Sequence, residues 1–186
     1  MPKIYSIYFF FLAFLLRTSS VSVSAQAVSK SKFSTPNIYA GIEVGSKGVK
    51  MSVVEMKKNE ETGNTFNILK DTSVNTDFIS FTQPTFDATL SGLAGLFNKA
   101  IADYKIPSSR IFTVISSGVK IQAEKDNKNV WVENFMKAFK TKVNEPQRKV
   151  EVVNVLQEAK LSHLGIVPLA RRYNTFLIDI GSGNTK

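Results

Sequence analysis

Two nine-residue stretches, "IEVGSKGVK" (42–50) and "IDIGSGNTK" (178–186), follow one pattern: apolar, acid, apolar, Gly, Ser, three residues, Lys. They stand too far apart for the period of a solenoid repeat and are too alike to dismiss. Each continues an apolar run of strand character. A glycine at the end of a strand lets the backbone approach a ligand closely and take conformations other residues avoid. Consecutive backbone N–H groups and a Ser hydroxyl can then surround phosphate oxygens. A carboxylate in that place repels phosphate, so Glu43 and Asp179 are read as holders of Mg²⁺ or another divalent cation, or of a metal-bound water. Either stretch alone is an ordinary Gly-Ser turn. As a pair, each led by an acid on a strand, they point to two loops that clamp a phosphoryl group from both sides.

The rest of the chain supplies a sheet to carry them. "IYAGIEV" (38–44) and "VKMSVVEM" (49–56), separated by "GSKG", predict a hairpin, and "TFNILKDTSV" (65–74) predicts a third strand. Asp87 is placed to cap a helix over 88–104, where Leu90, Leu93, Leu96, Phe97, Ala100, Ile101 and Tyr104 recur at helical spacing. "IFTVISS" (111–117) reads as a buried strand and "WVENFMKAF" (131–139) as a helix. "VEVVNVL" (150–156) is a further strand, "QEAKLSHLGI" (157–166) a helix, and "TFLIDI" (175–180) the last strand. The order β-β-β-α-β-α-β-α-β predicts an α/β fold with a mixed sheet and helices on its faces. Such sheets bind ligands at the carboxyl ends of their strands, where the Gly-Ser loops fall.

Residues 1–27 are expected to stand outside that fold. Lys3 precedes an apolar run over 4–16, and "SVSAQA" follows with small residues at Ala25 and Ala27. This is the order of a secretory signal, cut after Ala27. The run is short for a membrane span, so no stable span is expected after cleavage. An uncleaved anchor through 4–16 is the alternative, and either way the body is exported, periplasmic or secreted. Residues 28–37, "VSKSKFSTPN", read as a linker, and 38–174 as the domain.

The chain contains no cysteine, which excludes disulfides, thiolate zinc sites and a cysteine nucleophile. Its single histidine, His163, reads as a surface or boundary residue of a helix. The formal charge of +9, to which Lys3 and Arg17 of the leader contribute, favours polyanionic partners. The basic residues are mixed with acids and amides and do not interleave with aromatics, so no nucleic-acid partner is expected.

The paired loops resemble the phosphate-1 and phosphate-2 motifs of the actin, heat-shock chaperone and sugar-kinase superfamily. Within it the chain is most similar to the exopolyphosphatase and guanosine pentaphosphatase family. That family shows an Asp-Leu-Gly-Ser-Asn-Ser loop, a strand leading to an Arg-bearing loop, a strand leading to Glu-Glu-Ala-Arg-Leu and Gly-Val, and an Asp-Ile-Gly-Gly-Gly-Ser-Thr loop. Here "VISSGVKIQAEKDN" stands at the second place and "VEVVNVLQEAKLSHLGIV" at the third. The resemblance runs from about Ile38 to Lys186 and implies a ribonuclease H-like, actin-like ATPase domain. Residues 175–186 would then be the opening strand and phosphate-2 loop of a second, similar domain, making the chain an N-terminal fragment.

The resemblance implies roles residue by residue. Glu158 matches the glutamate that activates the attacking water. Gly45, Ser46, Lys47, Lys120, Gly181, Ser182, Gly183, Asn184 and Thr185 match phosphate-binding positions, and Glu43 and Asp179 those near the metal. Four residues depart from the pattern: Glu43 for Asp, Lys47 for Asn, Lys120 for Arg and Ser182 for Gly. Lys120 forgoes the bidentate grip of a guanidinium.

The implied activity is Mg²⁺-assisted hydrolysis of polyphosphate. An apyrase-like nucleoside di- and triphosphatase is the alternative within enzymes, since "EVGSKGVK" is also similar to an apyrase first loop. A non-catalytic phosphate- or nucleotide-binding scaffold, or an actin-like assembly protein, is the alternative outside them. The expected partners are polyphosphate or nucleotide, with a homodimer allowed.

Overall fold

A computed structural model describes residues 36–58 and 65–180. Five strands form one sheet: β1 (Ile38–Val44), β2 (Gly48–Lys57), β3 (Thr65–Asn75), β4 (Ile111–Ile115) and β5 (Glu151–Val152). Four helices accompany them: α1 (Gln83–Ala102), α2 (Ser117–Lys125), α3 (Asn129–Lys142) and α4 (Val155–Ile166). The sheet order is β3-β2-β1-β4-β5. β1, β2 and β3 pair antiparallel, while β4 and β5 join parallel to β1. The expected mixed sheet is therefore present.

The period-2 pattern of the strands decides which face is covered. Ile38, Ala40, Ile42 and Val44 of β1, Val49, Met51 and Val53 of β2, and Ile111 and Ile115 of β4 are buried on one side. α1 packs against β1, β2 and α3 there. It contributes Leu93, Leu96, Phe97 and Ala100, and α3 contributes Val132, Phe135 and Phe139. The ring of Phe135 lies 4.4 Å from that of Phe78 and 5.4 Å from that of Phe86, measured between centroids. Each fully buried ring of this kind stabilises the fold by about 1.5–3 kcal/mol.

The structure departs from the sequence expectations where caps outrank periodicity. α1 begins five residues before the expected start at 88, because Thr82 rather than Asp87 caps it. The Thr82 side chain accepts from Thr85 N–H, the Thr85 hydroxyl accepts from Thr82 N–H, and Pro84 sits in the first turn. The strand expected over 111–117 stops at Ile115, where the chain turns through Ser116, at the N-cap position without a side-chain cap bond, into α2, a helix absent from the sequence expectation. Asn127, with φ 56°, then lies between α2 and α3. The strand expected over 150–156 shrinks to Glu151–Val152, because Asn154 caps α4.

The strand expected over 175–180 does not form. Residues 175–179 are irregular, and Ile180 makes a single bridge. An apolar run becomes a strand only where a neighbour takes its N–H and C=O groups, and among the described residues no ladder does so. The expected leader, most of the linker, and Gly181, Ser182, Gly183, Asn184 and Thr185 lie outside the described residues. No described helix is long and apolar enough to cross a membrane.

Candidate functional site

The carboxyl ends of β1, β4 and β5 lie side by side because their exits are hydrogen-bonded in series. Ser116 N–H donates to Val44 O at 3.0 Å, and Val153 N–H donates to Ile115 O at 3.1 Å. The first Gly-Ser loop, the start of α2 and the start of α4 therefore belong to one edge of the sheet.

At the end of β1 the chain turns tightly, with Gly45 N–H donating to Gly48 O at 2.8 Å. Ser46 is buried in this turn. Glu43 lies on the strand face opposite α1 and α3, alternating with the buried Ile42 and Val44. Its Oε1 is 3.9 Å from where a Cβ on Gly45 would stand, so the carboxylate lies against the turn. Gly48 closes the turn against β3, where a Cβ would meet Val74 O at 2.8 Å. Only a residue without a side chain lets the two backbones approach that closely.

Glu158 arrives from the other side of this edge. A reciprocal cap starts α4: Gln157 N–H donates to Asn154 Oδ1 at 2.8 Å, and Asn154 N–H donates to Gln157 Oε1 at 3.0 Å. This fixes the first turn, in which Glu158 sits. Its Oε2 accepts from the backbone N–H of Ser117, the first residue of α2, at 2.8 Å. A carboxylate is favoured at a helix N-terminus both by the unsatisfied N–H groups and by the helix dipole.

The two expected phosphate-binding lysines have carboxylate partners. Lys47 Nζ lies 2.6 Å from Asp77 Oδ1, on the connection between β3 and α1. The Lys47 hydrogen bond, followed by that of Ser80, holds the Asp77 carboxyl below the usual range. Lys120, in the first turn of α2, pairs with Glu124 one turn later. Both pairs are exposed enough for an incoming polyanion to compete with them.

Asp179 stands in a different setting. It lines a cavity of about 540 Å³ with Ala159, Lys160, His163 and Leu164 of α4 and with Thr175, Phe176 and Leu177. His163 Nε2 donates to Thr175 O at 3.2 Å across this cavity. Among the described residues, no group of three or more His, Asp or Glu side chains converges as a ready-made metal cage. Mg²⁺ does not need one, because it is usually held by one or two carboxylates with waters and substrate phosphates. Glu43, a hard oxygen donor against a glycine turn, fits that manner of binding.

Sequence reading missed Ser116 and Ser117, which are buried at the centre of the edge and start α2. The signal was present in "VISSGVK": serines directly after a strand are N-cap candidates. It also missed Asn154 and Gln157, whose capping pair orients Glu158.

No protein-family model matches the chain, and no curated protein matches it. Solved structures do. The crystal structure of the Aquifex aeolicus member of the Ppx/GppA protein family matches over 80% of this chain and 45% of its own, with TM-score 0.57 and 20% identity. An Aquifex aeolicus PPX-GPPA enzyme matches over 80% and 46%, with TM-score 0.55 and 19% identity. An exopolyphosphatase-like protein matches over 80% and 43%, with TM-score 0.56 and 17% identity.

The chain thus has the α/β fold of these Ppx/GppA structures, the fold that the sequence resemblance implied. The chain spans less than half the length of these structures.

Proposed function

We propose that the complete protein is an exported hydrolase of phosphoanhydride bonds that releases phosphate from polyphosphate. The observation that carries this is the position of Glu158, held by Ser117 N–H where three strand ends meet. Its carboxylate takes a proton from water as the water oxygen attacks the terminal phosphorus. The P–O–P bond breaks, and its electrons remain on the departing phosphate chain. The Gly45–Ser46 turn and the second loop, Gly181–Thr185, grip the phosphoryl group. Lys47 and Lys120 exchange their carboxylate partners for phosphate oxygens. Glu43 and Asp179 would hold Mg²⁺, which supplies neutralisation of the phosphate charge when bound. Export is proposed on the leader-like sequence of residues 1–27.

Phosphate release with Mg²⁺, compared for polyphosphate and ATP, tests the reading. Glu158→Gln in the complete protein should lower turnover roughly 10²–10⁴-fold, the range of general-base contributions. Release that survives this substitution sinks it, and preference for ATP moves the substrate to nucleotides.

A second reading, a phosphate-binding scaffold without turnover, is favoured by one observation: both candidate phosphate cations already face carboxylates. Tight binding of polyphosphate with no hydrolysis by the complete protein would select it.

A further inference from the structure

Glu158 is one side chain on the first turn of a helix, and a capped helix start does not by itself fix where a glutamate's carboxylate points. Among its described contacts, the bond that does so comes from another helix. Ser117 N–H reaches Glu158 Oε2 at 2.8 Å across 41 positions of sequence. We propose that this main-chain N–H is a positioning donor for the working orientation of Glu158. The proposal rests on the hydrolase reading above and goes beyond it by assigning a residue that no sequence motif marked.

Three features support the assignment. Ser117 is the first residue of α2, so its N–H has no partner within its own helix. Ser117 is fully buried, which keeps competing water from the donor. Ser116 before it has φ −66° and ψ 158°, and Ser116 N–H is itself bonded to Val44 O at the end of β1. The donor is therefore anchored to the strand that carries the first Gly-Ser loop. Holding Oε2 in this way restricts the carboxylate to the edge where the strand ends meet. A group that must meet its substrate within a fraction of an ångström gains from being held in advance.

The same geometry offers an unusually clean deletion. The first position of a helix tolerates proline, which lacks only an N–H that the helix does not use. The extended backbone of Ser116 is what a residue before proline adopts. Ser117→Pro therefore removes the donor, and Ser117→Ala keeps it while removing the hydroxyl. Should the proline ring overfill the buried site, replacing the Ser116–Ser117 amide by an ester deletes the N–H with the serine side chain kept.

In the complete protein, Ser117→Pro or the ester should lower kcat roughly ten- to hundredfold, the usual worth of a hydrogen bond to a charged group. KM should stay within about twofold, and Ser117→Ala measures the share of any loss that belongs to the hydroxyl. A merely structural tie would lower the melting temperature and leave kcat of the folded enzyme intact. Amide exchange gives a readout without turnover: Glu158→Ala should accelerate exchange at Ser117. Unchanged exchange there, or wild-type kcat in the ester variant, overturns the proposal. A wild type that hydrolyses neither polyphosphate nor ATP overturns the hydrolase reading itself, which is a separate outcome from an active enzyme indifferent to this N–H.

Discussion

The guanidinium of Arg148 lies over the ring of Phe97, 4.3 Å from its centroid, with the arginine side chain only 6% exposed. Arg148 precedes β5, and Phe97 is in the C-terminal half of α1. The same guanidinium donates to Ile111 O and Ser108 O, each at 2.8 Å, and to Glu145 Oε2 at 2.7 Å. One side chain thus joins α1, the turn into β4, the first residue of β4 and the segment before β5.

Removing it leaves two carbonyls and a carboxylate without their donor. Arg148→Met should cost about 1–3 kcal/mol, as for leaving buried acceptors without their donor. Arg148→Lys keeps the charge but cannot reach three directions from a planar fork, and should recover only part of the loss. Urea denaturation checks both, with a lower midpoint at unchanged slope as the expected result.

Two glycines should respond in opposite directions to the same substitution. A Cβ on Gly48 would stand 2.8 Å from Val74 O, a backbone atom that cannot swing aside. Gly48→Ala must therefore spread β2 from β3 and should cost about 1–3 kcal/mol. Because Gly48 O accepts the bond that closes the Gly45 turn, phosphate affinity should fall as well. Gly95, inside α1, has nothing within 4 Å of the same position. Gly95→Ala should stabilise by about 0.5–1 kcal/mol, through helix propensity and a less flexible unfolded chain. Thermal melts of the two variants beside the wild type decide the matter. Equal effects would mean that the close approach at Gly48 is not what requires glycine there.

Much of the sheet was legible because strand alternation is a local signal. β1 occupies the residues that its apolar pattern marked, 38–44, and β2 and β3 differ from expectation by a residue at their ends. The positions of Gly45, Ser46 and Glu43 at the end of β1 followed directly. The helix starts were less legible, because capping competes with periodicity over the same few residues. Ser116 and Asn154 each end an apolar run that reads as continuous strand. The N–H that meets Glu158, the carboxylate that meets Lys47 and the two carbonyls that meet Arg148 lie 30 to 41 positions away in sequence, and no pattern in a single chain announces them. The terminal run failed for a related reason: its apolar residues declare a strand, but strand formation depends on a neighbour that sequence does not name.

The pair formed by Lys47 and Asp77 makes a prediction about pH. Asp77 is held below the usual carboxylate range, first by the Lys47 hydrogen bond and then by that of Ser80. A carboxyl with a depressed native pKa releases its proton more readily folded than unfolded, so ionisation favours the native state. Its contribution is complete above the unfolded value of about 3.9 and is lost as pH falls through the lower native value. Between pH 6 and 8 the pair should add a constant, small amount, about 0.2–1 kcal/mol, because Lys47 and Asp77 are 61% and 41% exposed. Asp77→Asn should therefore lower stability at neutral pH by that amount and flatten the decline below about pH 4. High salt should shrink the difference between the variant and the wild type. Asp77→Asn should also release Lys47 toward the Gly45–Ser46 turn and tighten phosphate binding. Binding of inorganic phosphate that is unchanged in Asp77→Asn would show that Lys47 takes no part in the phosphate site.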